Sequence, residues 1–228
     1  MASVKSDITI KGFQDFCNEV YGSPNRRDFD LESIHSNVER FGMRALKGIR
    51  KKNFAKIKKN LLISLSFFNS MFNLLEINSE NIVWNRFPYL CSYCASCPCK
   101  CTSEKVQTRR KLVVDDSKKP TTLKEYQQMF EHIYPIYGRT LEEGGIHLAE
   151  EIGELSEAIM KFRGTHKEED LNQVILEMAD VFSCMMGILN SLHIDVADEL
   201  TKLYYDNCHV CHHAPCTCVY EFVMDYES

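Results

Sequence analysis

No stretch of this sequence alternates apolar and polar residues with the two-residue period of a strand, so a β-rich fold is not expected. No apolar run is long enough to cross a bilayer. The nearest, residues 61–75, is interrupted by Ser64, Ser66, Asn69, Ser70 and Asn73 and reads as a buried helix. The basic-then-apolar pattern of a secretory signal is missing, since Asp7 and Lys11 flank only three apolar or polar-neutral positions, 8–10. These absences set the expectation of a cytoplasmic protein without a membrane partner. What is present fits a globular chain: 228 residues, 44% hydrophobic and 26% charged, enough for one large domain or two small ones.

Charge is divided unevenly. Residues 1–116 carry 19 Lys and Arg against 12 Asp and Glu, a net +7, and residues 117–228 carry 8 against 20, a net −12. The two halves therefore have different electrostatic roles.

Eleven cysteines in such a chain point to metal ligation rather than disulfides. Cys91, Cys94, Cys99 and Cys101 follow C-x2-C-x4-C-x-C, and Cys208, Cys211, Cys216 and Cys218 repeat that spacing. Four thiolates in a short loop suit tetrahedral zinc, so two structural zinc ions are expected, with an iron–sulfur cluster as the alternative. Cys17, Cys97 and Cys184 are expected to stay free, and His209, His212 and His213 are substitute ligands for the second loop.

The duplicated cysteine pattern belongs to a longer repeat. Thr9-Ile-Lys-Gly-Phe-Gln14 matches Thr122-Leu-Lys-Glu-Tyr-Gln127, and Phe67-Phe-Asn-Ser-Met-Phe-Asn-Leu-Leu75 matches Val181-Phe-Ser-Cys-Met-Met-Gly-Ile-Leu189. Two units follow, residues 1–104 and 121–228, each closed by a cysteine loop, with a charged linker at 105–120. Apolar spacing of three and four residues predicts helices over 122–134, 141–163 (stopped by Gly164), 171–192 and 196–205, the last capped by Asp195. The expected class is all-α: two tandem four-helix units packed as a pseudo-dimer within one chain.

Two carboxylate pairs stand out on the second unit's helices. Glu151 with Glu154, and Glu177 with Asp180, lie three residues apart and so on one helix face. Four converging carboxylates would repel one another without a cation between them, and an all-oxygen cage suits magnesium or manganese. Glu177 and Asp180 also interrupt an otherwise apolar stretch, which a solvated face would not explain.

The segment His147-Leu-Ala-Glu-Glu-Ile-Gly-Glu-Leu-Ser-Glu-Ala158, followed by Glu177-Met-Ala-Asp-Val181, resembles the E-E-x-x-E … E-x-x-D signature of the MazG-like all-α nucleoside-triphosphate pyrophosphohydrolases. Their relatives include dimeric dUTPases, dCTP pyrophosphatases and phosphoribosyl-ATP pyrophosphatases. The resemblance spans residues 123–207. It implies magnesium on Glu151, Glu154, Glu177 and Asp180, a nucleoside-triphosphate substrate, and hydrolysis between the α- and β-phosphates to monophosphate and pyrophosphate. It also implies substrate contacts from Lys202 and Asn207 on the closing helix. Glu150, beside the ligand pair, is the candidate general base, and His147, one turn before Glu151, a candidate contact to phosphate or base.

The first unit lacks this motif. Glu39-Arg40-Phe-Gly-Met43 stands where Glu150-Glu151-Ile-Gly-Glu154 stands, and Ile63 and Ser66 stand where Glu177 and Asp180 stand. An intact unit paired with a decayed one resembles the plan of dimeric dUTPases. The basic run Lys47, Arg50, Lys51, Lys52, Lys56, Lys58 and Lys59 reads as a triphosphate clamp, a nucleic-acid surface, or a solvated face pairing with the acidic half. The competing functional class is a subunit without turnover that senses a nucleotide or joins a protein or nucleic-acid complex through its basic and cysteine-rich surfaces.

Overall fold

The structure, a computed structural model, describes residues 3–227. The fold is all-helical, with no strand among the described residues. In the first half, α1 (Ile10–Asp28), α2 (Leu31–Arg50), α3 (Phe54–Leu74) and α4 (Ser79–Arg86) precede the first cysteine loop, which ends in a one-turn α5 (Cys101–Glu104). In the second, α6 (Leu123–Ile133), α7 (Leu141–Thr165), α8 (Glu168–Ser191) and α9 (Val196–Leu203) precede the second loop, and a short α10 (Tyr220–Asp225) follows it.

Local chemistry sets most of the boundaries. Thr9 and Thr122 cap α1 and α6 through their hydroxyls, and Asn78 and Asp195 cap α4 and α9. Thr140 and Glu143 close a capping box that starts α7. Gly164 does not stop α7, which continues to Thr165 and turns at His166 with φ 52. An exposed glycine costs a helix only about 1 kcal/mol, less than the surrounding packing recovers. The segment α10 has no counterpart in the expected helices.

The 105–120 segment is not a free tether. Trp84 Nε1 donates to Asp116 Oδ1 at 2.7 Å, and Lys119 pairs with Glu80 at 3.3 Å. Helix α8 is long and apolar enough to cross a membrane by composition, yet two thirds of its most apolar window is buried within the chain. Val174, Met178, Val181, Phe182, Met185 and Leu189 form its buried stripe.

The same polar anchors recur in both halves. Gln14 Nε2 donates to the Ile77 carbonyl and Gln14 Oε1 accepts from Ser79 N, while Asn73 donates to the Gln14 carbonyl. Gln127 makes the matching bonds to Ile194 and Val196, and Asn190 donates to the Gln127 carbonyl. Each amide thereby ties the first helix of its half to the turn before the fourth, in a buried setting where an unmet group would cost about 1–3 kcal/mol.

The halves also exchange contacts. Helix α4 packs on α8, and α9 on α3. Helices α2 and α7 cross so closely that a Cβ on Gly42 would meet Ile152 Cδ1 at 2.8 Å, and one on Gly145 would meet Leu46 Cδ2 at 2.8 Å. Each cysteine loop docks on the opposite half through one backbone bond, Cys99 N to the Ile133 carbonyl at 2.8 Å and Cys216 N to the Val20 carbonyl at 2.7 Å. The Val20 carbonyl is available because Pro24, four residues on and inside α1, has no N–H to donate to it.

Candidate functional site

Helices α7 and α8 bring Glu151, Glu177 and Asp180 together, with one carboxylate oxygen from each lying within 4.8 Å of the others. Glu177 and Asp180 are 5% and 8% exposed, an unusual burial for acidic side chains. One Glu177 oxygen accepts from the Gln173 amide, and the other is buried with no partner. Burial first, then the charges of Asp180, Glu154 and Glu177, push the Glu151 carboxyl up to about 7. Glu177 is raised by burial and by Asp180 as well. Glu154 lies at the exposed rim, close enough for its charge to act on both but outside the tight trio. This donor set fits a hard divalent cation: all oxygen, anionic, partly desolvated and with an unmet acceptor.

The first half supplies a cation that the motifs did not disclose. Arg86, at the end of α4, donates from Nε to Asp180 Oδ1 at 3.0 Å and from Nη2 to Asp180 Oδ2. The pair is buried on both sides, so desolvation is offset by a two-point charged contact. Arg86 is the only basic residue between Lys59 and Lys100, and that isolation in an apolar stretch was the available signal.

A cavity of about 330 Å³ opens beside the carboxylates. Phe87, Tyr93, Cys99 and Arg109 wall it from the first half, and Tyr134, Arg139, His147, Glu151 and Asp180 from the second. Arg109 reaches it because its segment folds back on the cysteine loop, where Arg110 N donates to the Tyr93 carbonyl at 2.9 Å. His147 is held below the usual imidazole value by burial and by the Arg139 charge. Glu150 is exposed and outside the cavity wall. Lys202 is exposed and bonded to Glu199, and Asn207 is buried beside the second cysteine loop with φ 62; neither lines the cavity. The basic run of α2 and α3 is also absent from that wall. Lys58 instead pairs with Glu199 of the acidic half at 2.5 Å.

Each cysteine quartet converges. Sulfur separations are 3.7 Å for Cys91–Cys101 and 3.9 Å for Cys94–Cys99. In the second loop they are 4.0 Å for Cys208–Cys218, 3.7 Å for Cys211–Cys216 and 3.5 Å for Cys208–Cys216. Sulfurs around a tetrahedral zinc with Zn–S of about 2.3 Å stand about 3.8 Å apart, so both quartets could hold a metal ion such as zinc. Matching backbone donors support thiolate character: Lys100 N points to Cys94 Sγ at 3.3 Å and Thr217 N to Cys211 Sγ at 3.4 Å. Cys17, Cys97 and Cys184 stand outside both quartets.

No protein-family model matches this chain, and comparison with curated proteins and with solved structures yields no match.

Proposed function

We propose that this chain is a magnesium-dependent nucleoside-triphosphate pyrophosphohydrolase, built from two MazG-like four-helix units of which only the second keeps a complete carboxylate motif. The observation that carries the reading is the convergence of Glu151, Glu177 and Asp180 beside a cavity that Glu151 and Asp180 line and whose walls also bear Arg109 and Arg139. Anions below and cations above suit a metal-bound polyphosphate, because a buried acidic trio is otherwise unfavourable. The recurring glutamine anchors and reciprocal cysteine-loop contacts support two equivalent units paired in one chain.

Glu151, Glu177 and Asp180, with Glu154 at the rim, would hold magnesium, which when bound neutralises phosphate charge and acidifies a water. Arg86 fixes the Asp180 carboxylate in one orientation by engaging both of its oxygens. Arg109 and Arg139 draw in the phosphate chain, and the rings of Phe87, Tyr93 and Tyr134 offer apolar surface to a base. Among the cavity-facing groups, His147 is neutral near pH 7 and suited to accept a proton. It replaces the outward-facing Glu150 in that role. We further assign a structural zinc ion to each cysteine loop.

One observation favours a second reading, a nucleotide-binding subunit without turnover: Arg86 already engages both oxygens of Asp180. Incubating the protein with magnesium and a panel of ribo- and deoxynucleoside triphosphates separates the two. Monophosphate with pyrophosphate is the expected product pair. Diphosphate with orthophosphate would overturn the bond assignment, and binding without hydrolysis would select the second reading.

A further inference from the structure

In the first half, the place matching the carboxylate trio carries the opposite charge. Arg40 stands in α2 where Glu151 stands in α7, and Ile63 and Ser66 of α3 replace Glu177 and Asp180. Ile63 and Ser66 open onto a groove lined also by Phe41, Phe67 and His209, and the segment after the second cysteine loop lies in it.

The way that segment is held is informative. Arg40 donates from Nη1 to the Met224 carbonyl and from Nη2 to the Val223 carbonyl at 2.8 Å. Arg44 donates to the Tyr226 carbonyl at 2.7 Å. The Tyr226 ring lies 6.4 Å from Phe41 and 5.6 Å from His209, with the Lys59 ammonium 5.5 Å from its centroid. Lys59 thus faces the Tyr226 ring, while Arg40 and Arg44, whose guanidinium carbons lie 4.6 Å and 5.4 Å from the Phe41 centroid, face a row of carbonyl oxygens. Arg40 Nε is buried with no partner, and burial together with the Arg44 charge disfavours the Arg40 cation more than the nearby Asp225 charge favours it. The Arg40 guanidinium hydrogen-bonds only carbonyls, with Asp225 acting through its charge alone, whereas a phosphate would give roughly twice the bond strength and use the spare Nε donor.

We propose that this groove is a second nucleotide site, selective for nucleoside phosphates, and that the 220–226 segment is its exchangeable occupant. The Tyr226 ring takes the position of the base, and the carbonyls of Val223, Met224 and Tyr226 take positions of phosphate oxygens. Ligand entry therefore requires the segment to leave. The inference stands apart from the hydrolytic reading, since none of its residues lines the carboxylate cavity.

Hydrogen exchange on the full chain, without added divalent cation, tests this directly. Saturating ATP should speed exchange of the 221–226 amides several-fold, tripolyphosphate should act more weakly, and adenosine should do nothing. Unchanged exchange at 221–226 under saturating ATP would overturn the site. Tripolyphosphate as effective as ATP would overturn the assignment of the Tyr226 position to a base. The Arg40→Gln/Arg44→Gln variant should weaken ATP binding by roughly tenfold or more for each guanidinium lost. Full affinity in that variant would mean that ATP binds only in the other cavity, and the proposal would fall.

Discussion

Arg86 and Asp180 stand 94 residues apart in the chain and meet as a buried two-point ion pair. The arginine comes from the end of α4 in the basic half and the carboxylate from the middle of α8 in the acidic half. The charge asymmetry of the sequence thus becomes a specific contact at the candidate site, and both halves are needed to complete it.

Replacing Arg86 with Met should be strongly destabilising, because it leaves Asp180 buried beside Glu177 and Glu151 with no cation. A loss on the order of 3 kcal/mol is expected. Chemical denaturation of the variant checks this, and magnesium should restore part of the loss if the carboxylates bind it. A variant as stable as the parent would show that the pair is solvated rather than buried.

Glu177→Gln should act in the opposite sense. Removing one charge from the trio relieves repulsion, so the metal-free melting temperature should hold or rise. On the proposed reading, pyrophosphohydrolase turnover should nevertheless drop by about 100-fold or more, since Glu177 would be a metal ligand. Unchanged turnover alongside intact folding would remove Glu177 from the site.

The Glu151 carboxyl sits at about 7 in the fold against 4.5 ordinarily, raised by burial and its acidic neighbours. Between those values the folded protein holds a proton that the unfolded chain has released. Metal-free stability should therefore fall as pH rises from the lower value through the upper one. Divalent cation should flatten that slope by stabilising the ionised trio. Melting curves across the window, with and without magnesium, give the sign, and stability that rises with pH would contradict the geometry.

Metal analysis of protein purified without chelator should find two zinc ions per chain. Absorbance near the visible iron–sulfur bands would instead identify clusters. Cys94→Ser and Cys211→Ser should each lose one ion. The first should also damage the carboxylate cavity, because Cys99, Tyr93 and Arg109 belong to its wall. The second should loosen α1 through the Cys216–Val20 bond while sparing that cavity. Equal effects of the two on magnesium-dependent hydrolysis would argue against this division.

Much of this was legible in the linear order of residues. Helical class follows from apolar spacing, the Asp195 cap follows from local side-chain chemistry, and both cysteine quartets follow from spacing within a dozen residues. The pairing of Glu177 with Asp180 is a consequence of helical periodicity alone. Such features are local, and local geometry is set by the chain itself.

Contacts between distant segments required the tertiary structure. Nothing in the order of residues says that Arg86 crosses to Asp180, that Arg109 folds back to a cavity wall, or that Lys202 and Asn207 lie away from it. Gly164 passing within α7 and residues 220–226 lying over Arg40 and Arg44 were equally hidden. Each depends on which faces the packed helices leave open. That choice is made by burial summed over the whole core, and short-range preferences of about 1 kcal/mol or less are too small to dictate it.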